Sequence, residues 1–249
     1  MDNNNNLASV FEKYAAVVVF DTETTGLNAG ECQIIELAAQ RLTKAPDGSL
    51  VVSESMDALI KLPDGQRLPE KIVELTHITD EMLEAEGVKA ETAAAQFVGM
   101  IQSRPVLLIA HNAQFDLDFT RALLWSCNRE GLRTLEAADY LDSLTVYKDR
   151  AAYPHKLASA IEHYGLADKV QNSHRAIDDV AALAEVCKAM DAERDDLLNY
   201  VNLFGFNPKY GISGKSLEKV KYAPQQYANG LKAHSDTLPA IVWGCSFRG

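Results

Sequence analysis

Four cysteines in 249 residues, Cys32, Cys127, Cys187 and Cys245, form no C-x-x-C pair. That spacing excludes a cysteine-built zinc site and a disulfide framework, and it fits a reducing compartment. No apolar run is long enough to span a bilayer. The opening residues, Met1-Asp2-Asn3-Asn4-Asn5-Asn6, offer neither the basic nor the apolar stretch of a secretory leader. The expectation is therefore a cytoplasmic chain with no membrane partner. Positive charge is also scarce: the formal net charge is −11, whereas a surface that binds polyphosphates normally wants cations. The deficit is uneven. From Gly205 onward six Lys and Arg face two Asp and Glu, a net of +4, which leaves −15 for residues 1–204. The chain thus divides into an acidic domain, 1–204, and a basic C-terminal extension, 205–249.

What is present reads as an α/β protein. Residues 15–20 (A-A-V-V-V-F) are an apolar run rich in valine, the pattern of a central strand buried on both faces. Residues 34–42 and 50–60 mix β-branched and polar positions on either side of the turn signal Pro46-Asp47-Gly48, and predict a hairpin. Short helices are predicted over 69–75 and 80–86 and a longer one over 91–102. A second buried strand follows over 106–110 (V-L-L-I-A), then a helix over 115–128 and a third strand over 137–144. Helices over 155–164, 175–190 and 194–203 complete the reading. Strands first, then strand–helix alternation, indicate one mixed β-sheet flanked by helices on both faces. In such sheets functional groups gather at the carboxyl ends of the central strands.

Acids stand in unusual places along this pattern. The first strand runs straight into Asp21-Thr22-Glu23-Thr24-Thr25-Gly26. In extended chain, residues i and i+2 share a face, so Asp21 and Glu23 point into one space. Two adjacent carboxylates repel unless a cation or a proton intervenes, although solvated acids at strand ends are common. The second strand is followed by His111-Asn112-Ala113-Gln114-Phe115-Asp116. At about 100° per residue, Asp116 falls between Phe119 and Leu123 on the core side of the next helix, while Asp118 lies opposite, beside Arg121 and Trp125. In the last long helix Asp178 groups with Glu185 on a polar face, and Asp179 lies among Leu183, Val186 and Met190. His174 is about 140° from Asp179 on an ideal helix. It reaches the same place only from the preceding loop, with Asn172 or Ser173 as the N-cap. Four inward acids without thiolate partners suit two hard divalent cations, Mg²⁺ or Mn²⁺. Two such ions about 3.5–4 Å apart serve phosphodiester hydrolysis.

In this order and spacing the residues resemble the DEDDh, or DnaQ-like, exonuclease family, whose relatives include the proofreading epsilon subunit of bacterial DNA polymerase III. The resemblance covers roughly residues 14–190 and implies a ribonuclease H-like fold and a metal-dependent 3'-5' exonuclease. By it Asp21 would bridge both cations, and Glu23 and Asp179 would hold the water-activating one. Asp116 would serve the other, in part through water. His174 would take the proton from the attacking water, a task that suits an imidazole pKa near ~6.5. Thr24, Thr25 and Gly26 match the turn against the 3'-terminal nucleotide, and Leu27 the apolar wedge between the last two bases. Asn112 and Phe115 match supports of the terminal nucleotide; turn and core packing would call for the same residue types. Residues 75–82 also resemble a family segment, but His77 stands where many members have glycine.

The partners so implied are nucleic acid, as single-stranded or frayed 3' ends of DNA in proofreading or repair, and a DNA polymerase. An exoribonuclease is the enzymatic alternative, since the same catalytic set serves both sugars. A catalytically silent nucleic-acid-binding module is the third reading, against which the full set of acids and His174 stands. Gly211-Ile212-Ser213-Gly214-Lys215-Ser216 is not a phosphate loop: Lys209 occupies the required first glycine and no apolar strand precedes it. In the extension, Lys209, Lys215, Lys219 and Lys221 alternate with Tyr210 and Tyr222, which suits a grip on upstream phosphates and bases. The competing expectation is a structural strap packed down by Tyr210, Tyr222, Tyr227, Trp243 and Phe247.

Overall fold

A run of four fully buried side chains, Val17, Val18, Val19 and Phe20, makes strand β1 (Ala16–Thr24) the centre of the molecule. Removing each from water contributes roughly 1.5–3 kcal/mol. This computed structural model describes residues 7–102, 104–170 and 175–225. Strand β2 (Ile34–Lys44) pairs antiparallel with β1, and β3 (Leu50–Leu59) antiparallel with β2. The hairpin turn between β2 and β3 is held by Asp47, whose carboxylate accepts the Ser49 amide at 2.9 Å, and by Gly48 at φ 84°, a backbone region open to glycine. Strands β4 (Val106–Ala110) and β5 (Asp139–Asp142) complete the sheet in parallel, giving the order β3-β2-β1-β4-β5.

Helices cover both faces. Before β1 comes α1 (Ala8–Lys13); α2 (Glu70–Thr76), α3 (Asp80–Glu86) and α4 (Ala90–Ile101) follow β3. Helices α5 (Ala113–Cys127) and α6 (Arg129–Ala137) lie between β4 and β5. After β5 come α7 (Ser143–Arg150), α8 (Leu157–His163) and α9 (Ala176–Glu193). Alternation along β1 divides the core. Val18 and Phe20 pack with Phe97 of α4 and with Leu117 and Phe119 of α5, whereas Val17 and Val19 pack with Val180, Leu183 and Val186 of α9. A third cluster, Ile35, Leu59, Leu68, Ile78 and Leu83, seats α2 and α3 at the open end of the β2–β3 hairpin. The five-stranded mixed sheet between two helical layers is a ribonuclease H-like fold.

The structure departs from the sequence reading mainly after residue 128. Helices α6 and α7 occupy stretches read as loop or strand, and α1 was not anticipated. The helix predicted over 194–203 is absent; a single 3-10 turn (Leu197–Tyr200) stands there instead. Asn202 explains the stop. It adopts φ 57°, and its side chain accepts the Tyr140 amide at 2.9 Å and donates to Asp139 at 2.9 Å, pairings a continued helix would break. Strand β6 (Leu203–Phe206) then pairs parallel with β7 (Lys221–Pro224).

The segment carrying these two strands is fastened to the domain. Leu217, Val220 and Tyr222 are buried in the α4–α5 core. The Tyr222 hydroxyl donates to Gln114 at 2.6 Å and accepts the Leu217 amide at 3.0 Å. Lys219 reaches Asp139 at 2.7 Å and the Ala138 carbonyl at 2.8 Å. Against the burial that would raise it, bonds from Lys219, Asn202 and Tyr14 hold the Asp139 carboxyl down to about 2. Tyr210 is 76% exposed, with the Lys209 ammonium 5.1 Å above its ring. Tyr227, Trp243 and Phe247 lie outside the described residues.

Candidate active site

The acids meet at the carboxyl end of β1. Asp21 and Glu23 project from the face that packs against α9, and Asp179 sits in the first turn of that helix. Ligand oxygens of Asp21, Glu23 and Asp179 all lie within 4.8 Å of one another. Thr22 points to the opposite face, where α5 brings Asp116. The fourth acid is thereby tied to the strand: Asp116 Oδ1 accepts the Thr22 amide at 3.0 Å and the Thr22 hydroxyl at 2.8 Å. Asp116 is 3% exposed, yet it stands outside the 4.8 Å group. His174, Ser173 and Asn172 lie outside the described residues, so the geometry concerns the four acids alone.

Both helices that carry an acid are anchored by a buried carboxylate that the sequence reading did not single out. Asp142, at the end of β5, caps two helices. Its Oδ1 accepts the Asn112 and Ala113 amides at 2.9 and 3.1 Å at the start of α5. Its Oδ2 takes the Thr145 amide at 3.2 Å and the Thr145 hydroxyl at 2.6 Å in α7. Glu36 on β2, fully buried, accepts the Ala176 amide at 2.9 Å and the Arg175 guanidinium at 2.8 Å. The cap of α9 thus comes from a strand about 140 positions away, where a neighbouring Asn172 or Ser173 was expected. The one sequence clue was a lone glutamate inside the apolar run Ile34-Ile35-Glu36-Leu37.

Burial, and after it the charge of neighbouring acids, makes the four carboxyls reluctant to ionise. Burial first, then the charges of Asp116, Asp179, Glu23 and Glu36, pushes the Asp21 carboxyl well above the usual range. Burial and the neighbouring Glu36, Asp179 and Asp116 raise Glu23 to about 8, with Arg175 pulling the other way. Burial raises Asp116 to about 7 despite the Thr22 bonds. Burial, Asp178 and Glu36 raise Asp179 to about 6. Asp179 Oδ1 is buried and has no hydrogen-bond partner among the described residues. An orphaned carboxylate oxygen beside two further carboxylates, with oxygen donors only, fits a hard divalent cation. Residues of this cluster could hold one at Asp21, Glu23 and Asp179, with Asp116 beside it.

The residues expected at the nucleotide stand at or after the end of β1 or open α5, and the groove lined by Leu27 and Phe115 includes none of the four acids. Thr24 donates its hydroxyl to the Gly26 carbonyl at 2.6 Å, and Thr25 closes the turn by accepting the Gln33 amide at 3.0 Å. Gly26 is required by close approach: a Cβ there would come within 2.6 Å of Cys32 Sγ. Asn112 adopts φ 72° at the head of α5. Leu27, 88% exposed, and Phe115 line one groove of about 660 Å³ together with Phe119, Trp125, Gly214 and Lys215. Asp118, placed by the sequence opposite the core face beside Arg121 and Trp125, has a packing role: a Cβ on Gly214 would lie 1.7 Å from its carboxylate, and Gln114 beside it donates to the Lys215 carbonyl at 2.9 Å. Asp178 lines a separate surface hollow with Glu185 and Lys188. His77 caps α2 at φ 59°.

A ribonuclease H-like sheet whose central strand ends in clustered carboxylates defines the protein as one of the nuclease class. The family model for RNase T-type exonucleases matches residues 18–187, and the chain belongs to that exonuclease family. It is 31% identical over 180 residues to DNA polymerase III subunit epsilon of Treponema pallidum, covering 72% of this chain and 78% of that protein. It is 32% identical over 199 residues to the PolC-type DNA polymerase III of Clostridium perfringens, covering 78% of this chain but only 12% of that one. The chain therefore spans about an eighth of that PolC-type relative. Among solved structures, E. coli exonuclease I in complex with a dT13 oligonucleotide superposes with a TM-score of 0.63 at 18% identity. That match covers 75% of this chain and 43% of the other, a likeness of fold.

Proposed function

We propose that the chain is a 3'-5' exonuclease that removes nucleotides one at a time from single-stranded or frayed 3' ends of DNA, using two divalent cations, Mg²⁺ or Mn²⁺. The observation that carries the reading is the trio of Asp21, Glu23 and Asp179 within 4.8 Å, with a buried Asp179 oxygen lacking a partner among the described residues. Bound cations would supply electrostatic stabilisation of the phosphodiester and acidify a water. The chain's own residues do the rest. Asp21, central among the acids, would face both cations; Glu23 and Asp179 would hold one and Asp116, braced by Thr22, the other. His174, five positions before Asp179, accepts the proton of the attacking water. Thr24, Thr25, Gly26, Leu27, Asn112 and Phe115 frame the terminal nucleotide, with Leu27 and Phe115 offering it apolar surface.

The relationship to the epsilon subunit supports a proofreading or repair role beside a DNA polymerase. No described helix is long and apolar enough to cross a membrane. The test is degradation of a 5'-labelled single strand by the purified chain with Mg²⁺, run beside a mismatched duplex and an RNA of the same sequence. A ladder shortening from the 3' end of DNA, abolished by chelation, is expected. A ladder on RNA alone would turn the assignment to an exoribonuclease, and tight binding without cleavage to a silent binding module.

A further inference from the structure

Glu36 and Arg175 lie beside the acid cluster without belonging to it. In the β1–β2 register Glu36 stands directly opposite Glu23, so the two side chains share a face. Glu36 is fully buried, and both of its oxygens are already engaged. Oε1 accepts from Arg175 Nε at 2.8 Å and from Arg175 Nη2 at 2.5 Å; Oε2 accepts the Ala176 amide at 2.9 Å. Asp57 on β3 stands close by, its Oδ2 3.9 Å from Arg175. A carboxylate so occupied is not free to take a cation.

The bonds form a continuous path to a proposed cation ligand. The guanidinium of Arg175 is fixed to β2 through Glu36. The carbonyl of the same residue accepts the amides of Asp178 and Asp179, each at 3.1 Å, and so begins α9. The end of the path is Asp179, whose carboxylate must meet Asp21 and Glu23 arriving from β1. Strand β1 and helix α9 touch broadly through Val17, Val19, Val180 and Leu183, but those apolar contacts tolerate sliding. Directional bonds at the helix start do not.

We propose that the Glu36–Arg175 pair is a positioning clamp for the cation site, fixing where Asp179 stands relative to Asp21 and Glu23. The inference rests on reading that cluster as a divalent-cation site. Neither residue touches substrate or cation; both act through the helix start. Groups of this kind set metal affinity because they hold the ligands in register, and their loss typically weakens binding by about 10–100-fold.

Arg175 separates the clamp from simple charge balance. By charge alone, removing a cation beside clustered acids should tighten Mn²⁺ binding; a positioning role requires the opposite. The experiment titrates the full chain with Mn²⁺, following free Mn²⁺ by electron paramagnetic resonance, for wild type, Arg175→Gln and Arg175→Lys. Lysine keeps the charge but lacks the planar fork, and it covers the case in which the glutamine variant fails to fold. Both variants are expected to bind Mn²⁺ about 10–100-fold more weakly. The Mg²⁺ concentration for half-maximal nuclease activity should rise in parallel, with kcat recovered at saturating Mg²⁺. Unchanged or tighter Mn²⁺ binding in the folded variants, with only a lower melting temperature, would reduce the pair to a helix cap and overturn the proposal. A wild-type chain that binds no Mn²⁺ would instead remove the cation reading beneath it.

Discussion

The carboxyl end of β1 and the segment 203–225 treat charged groups in opposite ways. In the segment, Tyr222 gives and receives a hydrogen bond, Lys219 is paired with Asp139 and two carbonyls, and Gln114 bridges Tyr222 to the Lys215 carbonyl. At the strand end, burial and neighbouring acids raise all four carboxyls, and Asp179 keeps an oxygen with no hydrogen-bond partner among the described residues. Buried polar groups are normally satisfied. An unpartnered oxygen alone does not mark the site, since Gln225 Oε1 in the segment also lacks a partner among the described residues. The gathering of four carboxyls separates a region built to receive a ligand from one built for stability, in which Lys219 works inside the fold. Of its lysines, Lys209 beside the exposed Tyr210 remains the best suited to meet a phosphate.

The largest effect should come from the acids. Asp21→Asn and Asp179→Asn are each expected to lower exonuclease kcat by roughly 10³-fold or more, since cation stabilisation is worth several kcal/mol. The fold should persist, and relief of repulsion should raise the melting temperature of the metal-free protein. Near-normal turnover in either variant would erase the distinction between the two regions. Next, His174→Ala should reduce kcat by about 10²–10⁴-fold with Mn²⁺ affinity retained; an unchanged pH–rate profile would assign the proton to another acceptor.

The acids were legible in the sequence because each interrupts an apolar pattern: Asp21 and Glu23 at the end of a valine run, and Asp116 and Asp179 on apolar helix faces. Strands β1 and β4 were legible as apolar runs, and β2 and β3 from the turn signal between them. What holds the acids was not. Glu36 meets Arg175 across 139 positions and Asp142 meets Asn112 across 30, and no local period encodes such pairs. The segment after residue 194 was misread because β6 and β7 have four residues each and contain Gly205 and Pro224, which blur a strand pattern. Asn202 stops the expected helix through partners on β5.

Smaller effects probe the comparison from the other side. Tyr222→Phe leaves Gln114 and the Leu217 amide without their partner and should destabilise by about 1–3 kcal/mol. That corresponds to a melting temperature lower by roughly 2–4 °C per kcal/mol; kcat should be unaffected. A drop in kcat without a change in melting temperature would move the segment into the active site. Deleting residues from Gly205 onward should likewise lower thermal stability, because Leu217, Val220 and Tyr222 leave the core.

The comparison also carries a pH dependence. Folded-state values are raised for Glu23, Asp116 and Asp179, to about 8, 7 and 6. A raised carboxyl favours folding below its unfolded value and loses that contribution as pH climbs through the folded one. Metal-free protein should therefore melt progressively lower between about pH 5 and pH 8, and Mg²⁺ should flatten the slope. A flat metal-free profile would mean the acids are better solvated than their crowding implies.

The central claim is that the acids at the end of β1 bind divalent cations. Crystals equilibrated with Mn²⁺ and measured for anomalous scattering test it directly. The account predicts anomalous peaks in contact with the carboxylates of Asp21, Glu23 and Asp179, with Asp116 close by. Ordered carboxylates in this arrangement with no anomalous peak among them, at Mn²⁺ concentrations that support cleavage, would contradict it.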